Sequence, residues 1–102
     1  MEKRVVVTGI GVVSPVGNNL DAMWESIKAG KHGIAEITRF DLEGHKVTLA
    51  AEVKDFDFGD KRAARRLDIA DQYALAAARE AVEDSGIVSG ENVDPDRFGI
   101  YG

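Results

Sequence analysis

Arg62, Arg65 and Arg66 stand at i, i+3 and i+4, so a helix would carry all three on one face. Lys61 precedes them at a helical angle that points elsewhere, and an acid-rich stretch from Asp41 to Asp60 comes before it. A positive face on a chain of net charge −5 can speed encounter with an acidic partner and set its orientation. A solvated helix face is the ordinary alternative, and residue types alone leave both open. A second pattern is Val5-Val6-Val7-Thr8-Gly9-Ile10-Gly11, a β-branched run entering a Gly-x-Gly turn of the nucleotide-binding kind. A phosphate site there needs a third small residue opening a helix whose amino terminus faces the ligand. Ser14 takes that position instead, and Pro15-Val16-Gly17 delays the helix to about Asn19. The acidic residue expected about 20 positions further on would fall in the first helix or the connection after it. Glycines serving a tight turn pressed against other backbone explain the pattern better.

Other candidates for chemistry carry less. No histidine or acid is placed to activate Ser14, which reads as a turn former beside Pro15. The sequence has no cysteine, hence no thiol nucleophile, thiolate metal site or disulfide. His32 and His45 lie far apart, both in loop contexts, and give a zinc site almost nothing to build on. Trp24 shares helical spacing with Leu20 and Ile27 and is expected in a core rather than in a ligand platform. Gln72 and Tyr73 are expected to pack or bond internally. No cofactor and no metal is expected.

These residues need elements to position them. Arg4–Thr8 is a β-branched run, continuous rather than alternating, predicting a strand buried on both faces. Asn18 and Asn19 are cap candidates for a helix over 20–29, with Gly30 just past its end. Residues 31–46 predict an irregular connection, and Val47–Val53 a second strand. Phe56 and Phe58 sit in a turn expected to fold back on the core. Two helices follow, a short basic one over 61–67 and a longer one, Ile69–Ser85, with Asp68 placed to cap it and Gly86 to stop it. The longer helix is expected to turn Ile69, Tyr73, Ala76, Ala77 and Val82 to one side. Arg97–Gly102 begins a last strand, inside which the chain stops. The order β-α-β-α-β predicts an α/β layered fold, and the ending suggests truncation.

Composition sets outer bounds. With 102 residues, 44% hydrophobic and 30% charged, a single globular domain is the expectation. No apolar run is long enough to span a membrane, and no signal-peptide pattern opens the chain, which argues against secretion. The negative net charge argues against general nucleic-acid binding.

The run Arg4-Val5-Val6-Val7-Thr8-Gly9-Ile10-Gly11-Val12-Val13-Ser14-Pro15-Val16-Gly17-Asn18 closely resembles the opening of β-ketoacyl-acyl-carrier-protein synthases, nearest to the synthase II type. The similarity continues through Trp24, Ala29–Ile34 and Arg39-Phe40-Asp41, then Arg65–Asp68, Gln72-Tyr73-Ala74 and Glu83–Gly86. It covers essentially the whole chain, with separated motifs in the right order. The resemblance implies an incomplete amino-terminal half, residues 1–102, of a thiolase-like αβαβα domain from a cytoplasmic homodimer. It implies acyl-chain elongation in fatty-acid biosynthesis, by decarboxylative Claisen condensation with malonyl-acyl carrier protein. The family's catalytic cysteine and two histidines would lie beyond Gly102, so no catalytic residue is assigned and the segment alone is expected to be inactive. At positions matching Arg62, Arg65 and Arg66 the family docks acidic acyl carrier protein, which favours the docking reading of this face. A non-catalytic carrier-binding module and a polyketide-type ketosynthase fragment are the alternatives.

Overall fold

The structure, a computed structural model, describes residues 2–102. Helix α1, Leu20–Lys28, begins where Asn19 leaves the extended region and its side chain accepts the Ala22 N–H at 2.8 Å. It ends as the spacing predicts. Gly30 adopts φ 72°, the Lys31 N–H reaches the Ser26 carbonyl at 2.9 Å, and the Gly30 N–H reaches Ile27 at 3.1 Å.

Strand β1, Ile34–Glu36, pairs antiparallel with β2, Leu49–Ala51, in the register Ile34↔Ala51, Ala35↔Ala50, Glu36↔Leu49. β2 falls inside the predicted strand. β1 was expected to be irregular, and pairing with β2 is what orders it. Helix α2, Lys61–Ala64, is shorter than predicted, its last turn tightening into i→i+3 bonds from Arg66 to Ala63 and Leu67 to Ala64. Helix α3 spans Ile69–Ser85, as its pattern predicts, and stops at Gly86 in the left-handed conformation, φ 72°. Asp68 holds the cap position without a side-chain bond. A 3₁₀ turn, Pro95–Arg97, follows the α3 exit loop.

α3 organises what packing there is. Its half-buried stripe is Tyr73, Ala76, Ala77, Glu80 and Ala81, one helical face at i, i+3, i+4, i+7 and i+8. This corrects the expected face, because Ile69 and Val82 are each 45% exposed and Glu80 belongs to the packed side. The Gly9–Gly11 loop lies against this stripe so closely that a Cβ on Gly9 would stand 2.6 Å from the Ser85 nitrogen. On Gly11 it would stand 2.7 Å from the Ala81 nitrogen. Phe58 is the buried hydrophobic of the described residues, with the Arg79 guanidinium 4.6 Å over its ring. Phe56 meets Tyr73 edge-on at 4.8 Å, so the turn carrying both phenylalanines does fold inward.

The end segments differ from expectation. Arg4–Thr8 and Arg97–Gly102 are not strands, so the order β-α-β-α-β does not hold. Val5 is 95% exposed and Ile100 92%. A strand is defined by its ladder, and among the described residues no segment pairs with either run. Trp24, expected in a core, is likewise 55% exposed, with the Lys28 ammonium 5.8 Å from its ring. The result is a small α/β piece containing one two-stranded ribbon.

Candidate functional site

The arginine face rests on a helix of four residues, too short to persist unaided. Both ends are tied. Asp60 accepts the N–H groups of Arg62 and Ala63 at 3.0 and 3.1 Å, satisfying two orphan donors of the first turn. At the other end the Gln72 side-chain amide, projecting from the first turn of α3, donates to the carbonyls of Ala64 at 3.1 Å and Leu67 at 3.2 Å. Between these ties Arg62, Ala63, Arg66 and Leu67 line an open groove of about 430 Å³. Two arginines thus line it together with the apolar Ala63 and Leu67. Arg65 is exposed on the same turn but does not line the groove, so the predicted trio divides into a pair and an outlier.

None of the three guanidiniums has an acidic partner or a hydrogen bond among the described residues. The ion pairs present lie elsewhere, Lys28 with Glu25 at 2.6 Å and Arg39 with Glu52 at 3.7 Å. Uncompensated charge on an acidic chain leaves the full field of this face for an incoming anion.

The glycine loop faces protein carboxylates, which disfavour a phosphate beside it. Two of its amides are bonded to them, Ile10 to the Asp84 carboxylate at 3.0 Å and Val12 to Glu80 at 2.9 Å. Glu80 also accepts from Leu20 at 3.0 Å, so the amino end of α1 faces a protein carboxylate. Gly9 and Gly11 serve close packing, as the loop chemistry implied. Ser14 is a turn residue. Its hydroxyl donates to the Gly17 carbonyl at 3.0 Å, and the Ser14 and Gly17 backbones exchange bonds across Pro15-Val16. His32 and His45 are exposed loop residues, the first accepting the Ile34 N–H and the second edge-on to Phe40.

Sequence reasoning missed the acids that hold this frame, Asp60, Glu80 and Asp84. The 73-76-77-80-81 spacing places Glu80 on the packed stripe, a signal obscured by weighing only apolar side chains. A further network joins the segments just past β1 and β2 to α3. The Arg39 guanidinium donates to the Tyr73 hydroxyl at 2.7 Å, while the Thr38 amide and hydroxyl donate to Glu52 at 3.1 and 3.0 Å. The Tyr73 bond and charge raise Arg39 further above its ordinary pKa. Burial pushes the Glu52 carboxyl up, but the Thr38 bonds, the Arg39 N–H and the Arg39 charge outweigh it, leaving the group below its ordinary value.

The whole described frame has relatives. The family model for the beta-ketoacyl synthase, N-terminal domain, matches residues 2–102. The chain is 48% identical over 102 residues to 3-oxoacyl-[acyl-carrier-protein] synthase 2 of Staphylococcus aureus (strain COL), covering 97% of this chain and 24% of that protein. It is 47% identical over 104 residues to the protein of the same name from Coxiella burnetii (strain RSA 493 / Nine Mile phase I), covering 98% of this chain and 25% of the relative. The chain therefore spans about a quarter of the length of these curated relatives. Among solved structures, the ishigamide ketosynthase/chain length factor superposes with a TM-score of 0.64 at 39% identity, covering 81% of this chain and 21% of that one. With a match of this extent, the chain belongs to the beta-ketoacyl synthase family, within its amino-terminal domain.

Proposed function

We propose that this chain is the amino-terminal portion of a condensing enzyme of the 3-oxoacyl-[acyl-carrier-protein] synthase 2 type. The observation that carries the reading is the 48% identity that runs through 97% of the chain. Such an enzyme elongates an acyl chain in fatty-acid synthesis. An acyl group is held as a thioester, malonyl-acyl carrier protein loses carbon dioxide, and the resulting carbanion attacks the thioester carbonyl. The described segment has no cysteine, so the thiolate and the donors for the enolate oxygen belong to the remainder of the relatives' length. In this reading the residues complete a thiolase-like αβαβα domain in a cytoplasmic homodimer.

The role of this segment is to receive the carrier. Arg62, Arg65 and Arg66 are exposed, free of internal acids and gathered on a turn tied at both ends. They suit an acidic acyl carrier protein, with Arg62 and Arg66 flanking the groove and Arg65 extending the field beside it.

The test is a condensation assay on the natural gene product, following carbon dioxide release from malonyl-acyl carrier protein in the presence of an acyl primer. Product formation is expected, with none from residues 1–102 alone. Absence of condensation in the natural product would leave carrier binding without catalysis as the function. A polyketide-type ketosynthase is the second reading, favoured by the likeness to the ishigamide ketosynthase/chain length factor. Under that reading the product carries several unreduced keto groups after repeated condensations, whereas a product that stops at a single keto group supports the fatty-acid reading.

A further inference from the structure

We infer that Gln72 is the positioning residue of the arginine groove, setting how tightly the carrier binds without touching it. The inference rests on the docking reading above. An amide nitrogen has two hydrogens, and Gln72 commits its amide to two carbonyls, Ala64 at 3.1 Å and Leu67 at 3.2 Å. Those carbonyls bracket Arg65 and Arg66, where α-helical bonding gives way to i→i+3 bonds. Ala64 also accepts the Leu67 N–H at 3.2 Å, while the Leu67 carbonyl has no backbone donor among the described residues and Gln72 supplies its partner. No other side chain among the described residues bonds to either carbonyl.

The anchor is well chosen mechanically. Gln72 is half-buried and fixed in a helix of 17 residues, whereas the turn it holds belongs to a helix of four. Without it, Asp60 still caps the first turn, which fixes Arg62, and Arg66 and Leu67 keep their i→i+3 bonds, but the turn loses its tie to α3 and the Leu67 carbonyl its partner. Arg62 and Arg66 are then no longer held as lining of one groove, and each additional rotamer must be frozen when the carrier arrives.

The experiment measures binding of a fluorescently labelled acyl carrier protein to the natural gene product, across a salt series. Four forms are compared, the parent, Gln72→Met, Arg62→Ala with Arg66→Ala, and all three changes together. Gln72→Met keeps length and charge while removing both donors. It is expected to weaken binding up to about tenfold, because ordering that two internal hydrogen bonds supply in advance must then be supplied on binding. On the arginine-free background the same change is expected to cost nothing, because there is no groove left to position. An equal loss on both backgrounds, or no loss on the parent, overturns the positioning role. If Gln72→Met does not fold, Gln72→Asn, which keeps the amide but shortens its reach, carries the same comparison. An arginine pair whose removal leaves affinity unchanged overturns the docking reading instead, and the positioning role falls with it.

Discussion

At the scale of single residues, charge and its partners decide what each side chain is free to do. Arg39 is spoken for by Tyr73 and Glu52, and Arg79 by the Phe58 ring, whereas Arg62, Arg65 and Arg66 have no such engagement. Replacing all three by alanine is expected to weaken carrier binding on the order of tenfold and to flatten its salt dependence, since the attraction is long-range and screened. A titration of labelled carrier protein at several salt concentrations checks this, and an unchanged slope counts against the face. Glu52 makes a different prediction. Its folded pKa is lowered, so its contribution is present above the ordinary carboxylate range and lost as pH falls through the lowered value. The Thr38 amide proton should therefore titrate with a midpoint below that of an ordinary glutamate, and Glu52→Gln should abolish the titration. A midpoint at or above the ordinary value would contradict the bonding described.

At the scale of elements, the glycine loop packs closely on α3. Backbone meets backbone there, with Gly11 facing the Ala77 and Ala81 turns, and Glu80 ties the loop and α1 to the same helix. A methyl at Gly11 has no room unless α3 moves. Gly11→Ala is expected to destabilise the natural gene product by about 1–3 kcal/mol, the usual cost of overpacking. Thermal unfolding measures it, and an unchanged midpoint would mean the loop stands further from α3. The same contact turns the nucleotide-like motif to packing rather than to ligand. Two of its amides, those of Ile10 and Val12, already donate to carboxylates.

At the scale of the whole molecule, surface outweighs interior. The described residues expose 8691 Å², where a compact monomer of this mass exposes about 5,600 Å². The radius of gyration is 17.4 Å, against about 13 Å for a compact domain of similar length. Val5, Val7, Ile100 and Tyr101 are each more than three-quarters exposed, on segments whose backbones join no ladder. An isolated two-stranded ribbon adds little stability. Residues 1–102 alone are expected to show no cooperative urea transition. A sigmoidal transition with coincident fluorescence and circular-dichroism midpoints would show instead that this small interior suffices.

Local rules made much of this legible in the sequence. The helix over 69–85, the Asn19 cap, the Gly30 and Gly86 stops and the Ser14-Pro15 turn all follow from short-range sterics and hydrogen bonding, and all stand where the residues place them. The family too was legible, because its motifs are contiguous runs. Tertiary structure alone decided the rest. Whether Val5–Val7 is a strand depends on a neighbour to bond, and a β-branched run is the same with or without one. Which arginines share a groove depended on where α2 loses its helical bonds and on Gln72 reaching back eight residues to hold it there. Glu80 reads as a solvated charge until distant amides converge on it, a satisfaction that spacing along one helix cannot announce.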